Sequence, residues 1–230
     1  MYLPKEKGAK ILDAGGGTGY WSRKLAKQDF LVVCSDVSQR MLDVGLKLAE
    51  KEKLERKIEF KYADITNMNC FKDNSFDMIL AEGDPVGYCD NPQKAIDELS
   101  RVAKRGAHVC ISVDSFYARL GLLLSNNDFE QINKILETHI TAFYSNIDQT
   151  FPQYNFTVEE LKKMLKKSGL DVIDVIGKPV FTTFIPRDKI NEILSDKEFF
   201  NKIFEIEIKF NNDPSIIGLS GHIQMIGKKT

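Results

Sequence analysis

The sequence predicts an α/β fold, a parallel sheet with helices on both faces. Two observations carry this. Short apolar runs alternate with helix-period patterns through the first two-thirds of the chain, and the first run ends directly in a glycine-rich turn. A third observation sets the scale: 230 residues, 43% of them hydrophobic, suffice to bury a large core.

AKILDAGG opens with an apolar run and ends in glycines, which reads as a buried strand over 9–13 and a tight turn. Trp21 and Leu25, at i and i+4, define the face of a short helix over 20–27. FLVVCSD (30–36) is a second strand of the fully buried kind. Ser38 caps the next helix, on which Met41, Gly45, Leu48 and Ala49 share a face. KIEFKYAD (57–64) and FDMILAEG (76–83) are the third and fourth strands. Asn91-Pro92 starts a helix that buries Ile96, Leu99, Val102 and Ala103 and stops at Gly106. HVCISVD (108–114) is the fifth strand. Thr157 with Glu160 forms a capping box, and Phe156 with Leu161 a hydrophobic staple, for a helix running to Gly169. LDVIDVIG (170–177) and HIQMIGKK (222–229) complete seven strands.

Two segments break the alternation, 115–153 and 181–219. The first contains Phe129, Ile132, Leu136, His139 and Phe143 at helical spacing. In the second, 198–210 fits both periods, and the helix is preferred.

Lys and Arg total 32 against 33 Asp and Glu, a net charge of −1, so a polyanionic partner such as nucleic acid is not expected. Cys34, Cys70, Cys89 and Cys110 contain no C-x-x-C pair, and no metal ligand set is expected. Three of them sit in or beside apolar runs and read as buried free thiols of a reducing compartment. MYLPKEKGAK carries no apolar leader, and no apolar cluster approaches the ~20 residues that span a bilayer. A cytoplasmic, membrane-free protein is expected.

The chemistry lies in the first turn, Asp13-Ala14-Gly15-Gly16-Gly17-Thr18-Gly19. Glycines let the backbone approach a ligand, and the following helix presents unpaired N–H groups. Asp36, 21 residues after Gly15, ends the second strand, where a carboxylate accepts both ribose hydroxyls of a nucleoside. Counting from Gly15, the third glycine of a dinucleotide fingerprint falls on Tyr20, which argues against NAD. The P-loop Lys-Ser/Thr is missing too. An acidic residue ahead of the glycines suits a cationic amine better than a pyrophosphate.

ILDAGGGTGYWSRKLA resembles motif I of the class I S-adenosylmethionine-dependent methyltransferases. The resemblance continues in order through VVCSDVSQRML, YADITNM, FDMILAEGD, ELSRVAKRGAHVCISVD and FTVEELKKMLKKSGLDVIDVIG. It implies a Rossmann-like fold, a mostly parallel seven-stranded sheet whose last strand is antiparallel. The implied cofactor is S-adenosyl-L-methionine, with S-adenosyl-L-homocysteine as product. Position by position, Gly15, Gly17 and Gly19 would line the methionine part and Asp13 would hold its amine. Asp36 would take the ribose, with Val37 beside the adenine. Asp64 would meet the adenine amine, flanked by Ala63 and Ile65, and Glu82 and Gly83 would adjoin the sulfonium. Lys104-Arg105-Gly106-Ala107 departs from the family's usual turn before strand five.

Methyl transfer needs a general base only when the acceptor must lose a proton. Asp84, Tyr88 and His222 are the candidates; His139 reads as packing and His108 starts its strand at the far end. Asp84-Pro85-Val86-Gly87-Tyr88 only partly resembles the motif of nucleobase-amine methyltransferases, which counts against a nucleic-acid substrate. In this family topology both odd segments connect at the ligand end, so a cap of Phe116, Tyr117, Phe143, Tyr144, Phe181, Phe184 and Phe204 is expected there. The reading is one methyltransferase domain over 1–230, with cap insertions 115–153 and 181–219, acting on a small, partly apolar acceptor. An RNA or protein methyltransferase and a non-catalytic cofactor-binding module are the alternatives. The first strand begins near Ala9, without the N-terminal helix that often covers the cofactor in this family. The expectation is that the cap covers it alone, that the site is more open, or that the chain as given lacks its natural start. The sequence names neither acceptor nor oligomeric state.

Overall fold

In a computed structural model, the structure describes residues 2–144 and 150–230. The chain divides into two compact units, Met1–Ser112 with Lys162–Ile173 and Met225–Thr230, and Val113–Leu161 with Asp174–Gln224.

The first unit is built on β1 (Lys10–Ala14), β2 (Leu31–Asp36), β3 (Ile58–Tyr62), β4 (Phe76–Ala81) and most of β5 (Ala103–Asp114), with α1 (Tyr20–Ala26), α2 (Gln39–Lys51) and α3 (Pro92–Val102) between them. Ile11, Leu12, Cys34 and Ile79 are fully buried, as expected of strands covered on both faces. The pairs β1·β2, β1·β4, β2·β3 and β4·β5 are parallel. With β8 (Leu170–Lys178) and β9 (His222–Lys229) the sheet has the order β3-β2-β1-β4-β5-β9-β8. Strand β9 runs against both neighbours. The Ser115 N–H, just past β5, donates to Gly221 O just before β9 (3.1 Å), and the Thr230 N–H, just past β9, donates to Gly169 O just before β8 (3.3 Å). The mostly parallel seven-stranded sheet with one antiparallel strand is therefore as expected.

Several local expectations need correction. On α1 the buried face is Ser22, Leu25 and Ala26, while Trp21 stays exposed against Lys24. On α2 it is Leu42, Gly45 and Ala49, and Met41 points outward. Helix α3 ends at Val102, not at Gly106. Gly106, at φ +78, instead lies within β5 where its register against β4 shifts, the backbone that a bulge requires.

The second unit holds α4 (Phe116–Ser125), α5 (Phe129–Thr138), the hairpin β6 (Ile140–Tyr144) with β7 (Thr150–Tyr154), α7 (Arg187–Ser195) and α8 (Lys197–Phe210). The expected helix through Phe143 stops at Thr138. His139 adopts a left-handed conformation (φ 60) and starts the hairpin, and the buried face is Gln131, Ile132 and Ile135 rather than Phe129 and Leu136. Residues 145–149 and the side chains of Phe143 and Tyr144 lie outside the described residues. Over 198–210 the helix wins the ambiguity. Both odd segments fall within this unit. Helix α6 (Val158–Lys167) starts as its capping box predicts: Thr157 Oγ1 accepts from the Glu160 N–H (3.2 Å), and Phe156 and Leu161 are fully buried. The Glu160 carboxylate, however, is taken by His139 Nδ1 (3.1 Å) and the Tyr154 hydroxyl. Among the described residues no helix is long and apolar enough to cross a membrane.

Candidate active site

Parallel strands deliver their following loops to one edge of the sheet, and ligands of open α/β sheets bind there. In the first unit the loops after β1, β2, β3 and β4 enclose a cleft of about 350 Å³. Its wall contains Gly15, Asp36, Val37, Ala63, Asp64, Ile65, Gly83 and Tyr88, eight residues singled out from the sequence.

Gly15 holds φ +70, and a Cβ there would sit 2.3 Å from Pro85 Cβ, so the first loop packs on the turn after β4 only as glycine. Asp36 braces two elements. Its Oδ2 accepts from the Gly17 N–H (2.9 Å) and its Oδ1 from the Ser38 N–H (2.8 Å). Asp64 Oδ1 accepts from both the N–H and the hydroxyl of Thr66 (2.8 Å each), which fixes the turn after β3.

Asp13 lies beneath the loop rather than on the cleft wall and is 1% exposed. Its Oδ2 accepts from the Ser22 N–H (3.1 Å) and hydroxyl (2.6 Å), tying β1 to α1. Its Oδ1 is buried with no hydrogen-bond partner. Burial pushes its pKa up to about 6, against the Ser22 hydrogen bonds that lower it, and the charges of Glu82 and Asp36 raise it further. Gly17, Gly19 and Glu82 belong to the same unit but do not line the cleft. Gly19 instead packs over Phe60, 3.0 Å from where its Cβ would be.

Residues 11–106 match the model of a methyltransferase domain. Over 105 residues the chain is 38% identical to the demethylmenaquinone methyltransferase of Clavibacter sepedonicus, a match covering 45% of this chain and 40% of that protein. It is 21% identical over 223 residues to the tRNA 5-carboxymethoxyuridine methyltransferase of Escherichia coli, covering 96% and 80%. The fold is shared with a solved S-adenosylmethionine-dependent methyltransferase of Methanosarcina mazei, with a TM-score of 0.71, 20% identity and coverage of 99% and 94%. The chain thus carries a methyltransferase-domain match over residues 11–106 and shares the fold of a solved S-adenosylmethionine-dependent methyltransferase.

The three base candidates lie in different settings. Tyr88 is 38% exposed on the cleft wall. Asp84 is 2% exposed, holds φ +68, and turns its carboxylate onto the Gly87 N–H (3.1 Å). His222 belongs to the second unit, its Nδ1 2.7 Å from Asp114 Oδ1. His139 packs on Phe116, as expected, with ring centroids 4.5 Å apart.

Thr66, Pro85, Cys89 and Asp90 complete the cleft wall and were not singled out from the sequence. Only Pro85 carried a usable signal, since a glycine-rich loop needs something to pack against. The Cys89 thiol is pushed up to about 11 by burial, and Cys34, under the loop, to about 12. Cys34 and Cys110 are buried, while Cys70 is exposed.

Proposed function

We propose that this methyltransferase transfers a methyl group to a small-molecule acceptor, with S-adenosylmethionine held in the cleft of the first unit. The observation that carries the reading is the cleft itself. It is bounded by glycine backbone and the carboxylates of Asp36, Asp64 and Asp90, and among the described residues no Lys, Arg or His lies on its wall. A polyanion gains nothing from such a wall, whereas a cationic cofactor does.

When bound, the cofactor supplies a methyl group on a sulfonium with a good leaving group. The chain's own work is to bind, orient and exclude water. Gly15, Gly17 and Gly19 give backbone access to the methionine part. The unpartnered Asp13 Oδ1 supplies the charge that an ammonium seeks. Asp36 takes the ribose hydroxyls with Val37 beside the adenine, and Ala63, Asp64 and Ile65 receive its other edge. Glu82 and Gly83 adjoin the reacting centre. The chain is read as one methyltransferase domain with insertions 115–153 and 181–219.

Calorimetry with S-adenosylmethionine and S-adenosylhomocysteine tests the cleft, and absence of binding by either sinks the reading. Methyl-labelled cofactor is then offered separately to a small-metabolite extract, bulk tRNA and total protein. Label in the first fraction is expected. The tRNA-modifying relative, matched over nearly the whole chain, makes the second arm the decisive rival.

A further inference from the structure

The starts of β1, β4 and β5 enclose a second cavity, at the edge of the first unit opposite the cofactor cleft. It holds about 290 Å³, between the segment before β1, Asp77 of β4 and the start of β5. A bulge opens it. Phe76 pairs with Ala103 and Met78 with His108, so one β4 residue, Asp77, stands against four on β5, Lys104-Arg105-Gly106-Ala107. These four are the turn in which the sequence departs from its resemblance to methyltransferases. Gly106 holds φ +78, and a Cβ there would meet nothing within 4 Å, so its backbone lies bare on the cavity wall.

The charges on this wall do not cancel. Asp77 is satisfied within the protein: its Oδ1 accepts from Lys104 Nζ (2.7 Å) and its Oδ2 from the Lys10 N–H (2.8 Å). Burial alone would raise its pKa, but these two hydrogen bonds and the Lys104 charge hold it below its ordinary value. Lys5 and Arg105 also line the cavity, and among the described residues neither side chain has a hydrogen bond or ion pair. Against them stands one acid on the wall without a partner, Glu6. Lys229 adds a cation nearby, its Nζ donating to the carbonyls of Arg101 (3.3 Å) and Ala103 (2.9 Å). Burial pulls the Lys229 pKa down, Asp73 opposes this, and the charges of Arg101 and Arg105 add to the fall. The Arg105 guanidinium therefore stands unpaired in a surplus of positive charge.

We propose that this cavity binds the phosphate group of a small molecule, with the Arg105 guanidinium and the Lys5 ammonium as its charged donors. The arginine fork matches two phosphate oxygens, and the lysine adds a point charge. The volume, at the lower end of small-molecule sites, suits a compact phosphate compound. The site is separate from the cofactor cleft, because β1 lies between them, a length of roughly 15 Å for five residues. Bound ligand and bound cofactor therefore do not compete.

Calorimetry and NMR with inorganic pyrophosphate, on the full chain at constant ionic strength, test this. The wild type is expected to bind one equivalent, with the same affinity in the presence of S-adenosylhomocysteine. Amide shifts should centre on 5–9 and 104–107. Arg105→Gln and Lys5→Gln should each weaken binding about fivefold or more, and Glu6→Gln should tighten it. All three side chains are exposed, so the fold should survive, which thermal unfolding without ligand checks. Absence of binding at millimolar pyrophosphate overturns the proposal. So does equal affinity in Arg105→Gln, competition by S-adenosylhomocysteine, or a set of shifts centred on the loops after β1 to β4. A short RNA with a 5′-hydroxyl, offered at the same phosphate concentration, separates a free phosphate compound from a nucleic-acid backbone. It should bind more weakly than pyrophosphate, and tighter binding through Arg105 and Lys5 overturns the proposal.

Discussion

Replacing Asp13 by Asn tests the electrostatics under the glycine loop. The carboxylate is 1% exposed, with only Oδ2 hydrogen-bonded, and its pKa rises from 3.8 to about 6. The raised value means that the folded state holds the proton more tightly than the unfolded chain does. Its stability contribution is therefore present below pH 3.8 and lost as pH rises through about 6. A shift of about two units at 1.36 kcal/mol each makes the ionised carboxylate cost about 3 kcal/mol at pH 8. The Asn amide keeps the Ser22 hydrogen bonds through its oxygen but places an NH₂ where the unpartnered oxygen lies, at a cost of about 1 kcal/mol. Asp13→Asn should thus be more stable than the wild type by about 2 kcal/mol at pH 8, with the difference shrinking as pH falls toward 4. Urea unfolding at several pH values measures it. A stability difference that does not vary between pH 5 and 8 would refute the reasoning. The same variant should bind S-adenosylmethionine at least tenfold more weakly, a gain in stability at the expense of function.

Three further outcomes follow. Gly15→Ala meets Pro85 Cβ at 2.3 Å and a left-handed φ that costs about 1–2 kcal/mol by itself, so cofactor affinity should fall at least tenfold by calorimetry, with a lower Tm. Asp36→Asn can still accept from only one of the Gly17 and Ser38 N–H groups through its oxygen. It should lose about 1–2 kcal/mol in urea unfolding together with most cofactor affinity. Glu207, on α8, accepts from three successive N–H groups, those of Val180 (2.7 Å), Phe181 (2.9 Å) and Thr182 (2.7 Å). Glu207→Ala should speed amide hydrogen exchange over 180–184 and cost about 2 kcal/mol, while protection of the β1–β4 amides stays unchanged.

The sheet was legible in the sequence because each of its strands is a short apolar run bounded by turn residues. All seven appear within a few residues of where they were expected. The errors cluster where a period cannot say which way a helix faces. Trp21 and Met41 fit an apolar face, yet they stay exposed, and α2 turns Gly45 inward instead, where an added Cβ would meet Phe60 at 2.5 Å and Thr18 O at 3.0 Å. The hairpin of β6 and β7 was missed because Ile140–Tyr144 continues the helical period. A left-handed His139 breaks it, and nothing short of tertiary packing on Phe116 and Glu160 announces that turn.

The sequence by itself determined the sheet, the glycine loop and its acidic partners, because strand periodicity and glycine chemistry are local properties. It also carried the resemblance to methyltransferases, through motifs that stand in order along the chain. Tertiary structure alone decided that Asp13 lies beneath the cleft while Thr66, Pro85, Cys89 and Asp90 complete its wall. It alone paired Asp114 with His222. Those relations join residues as much as 108 positions apart, and only the pairing of β5 with β9 brings such a carboxylate and imidazole to 2.7 Å.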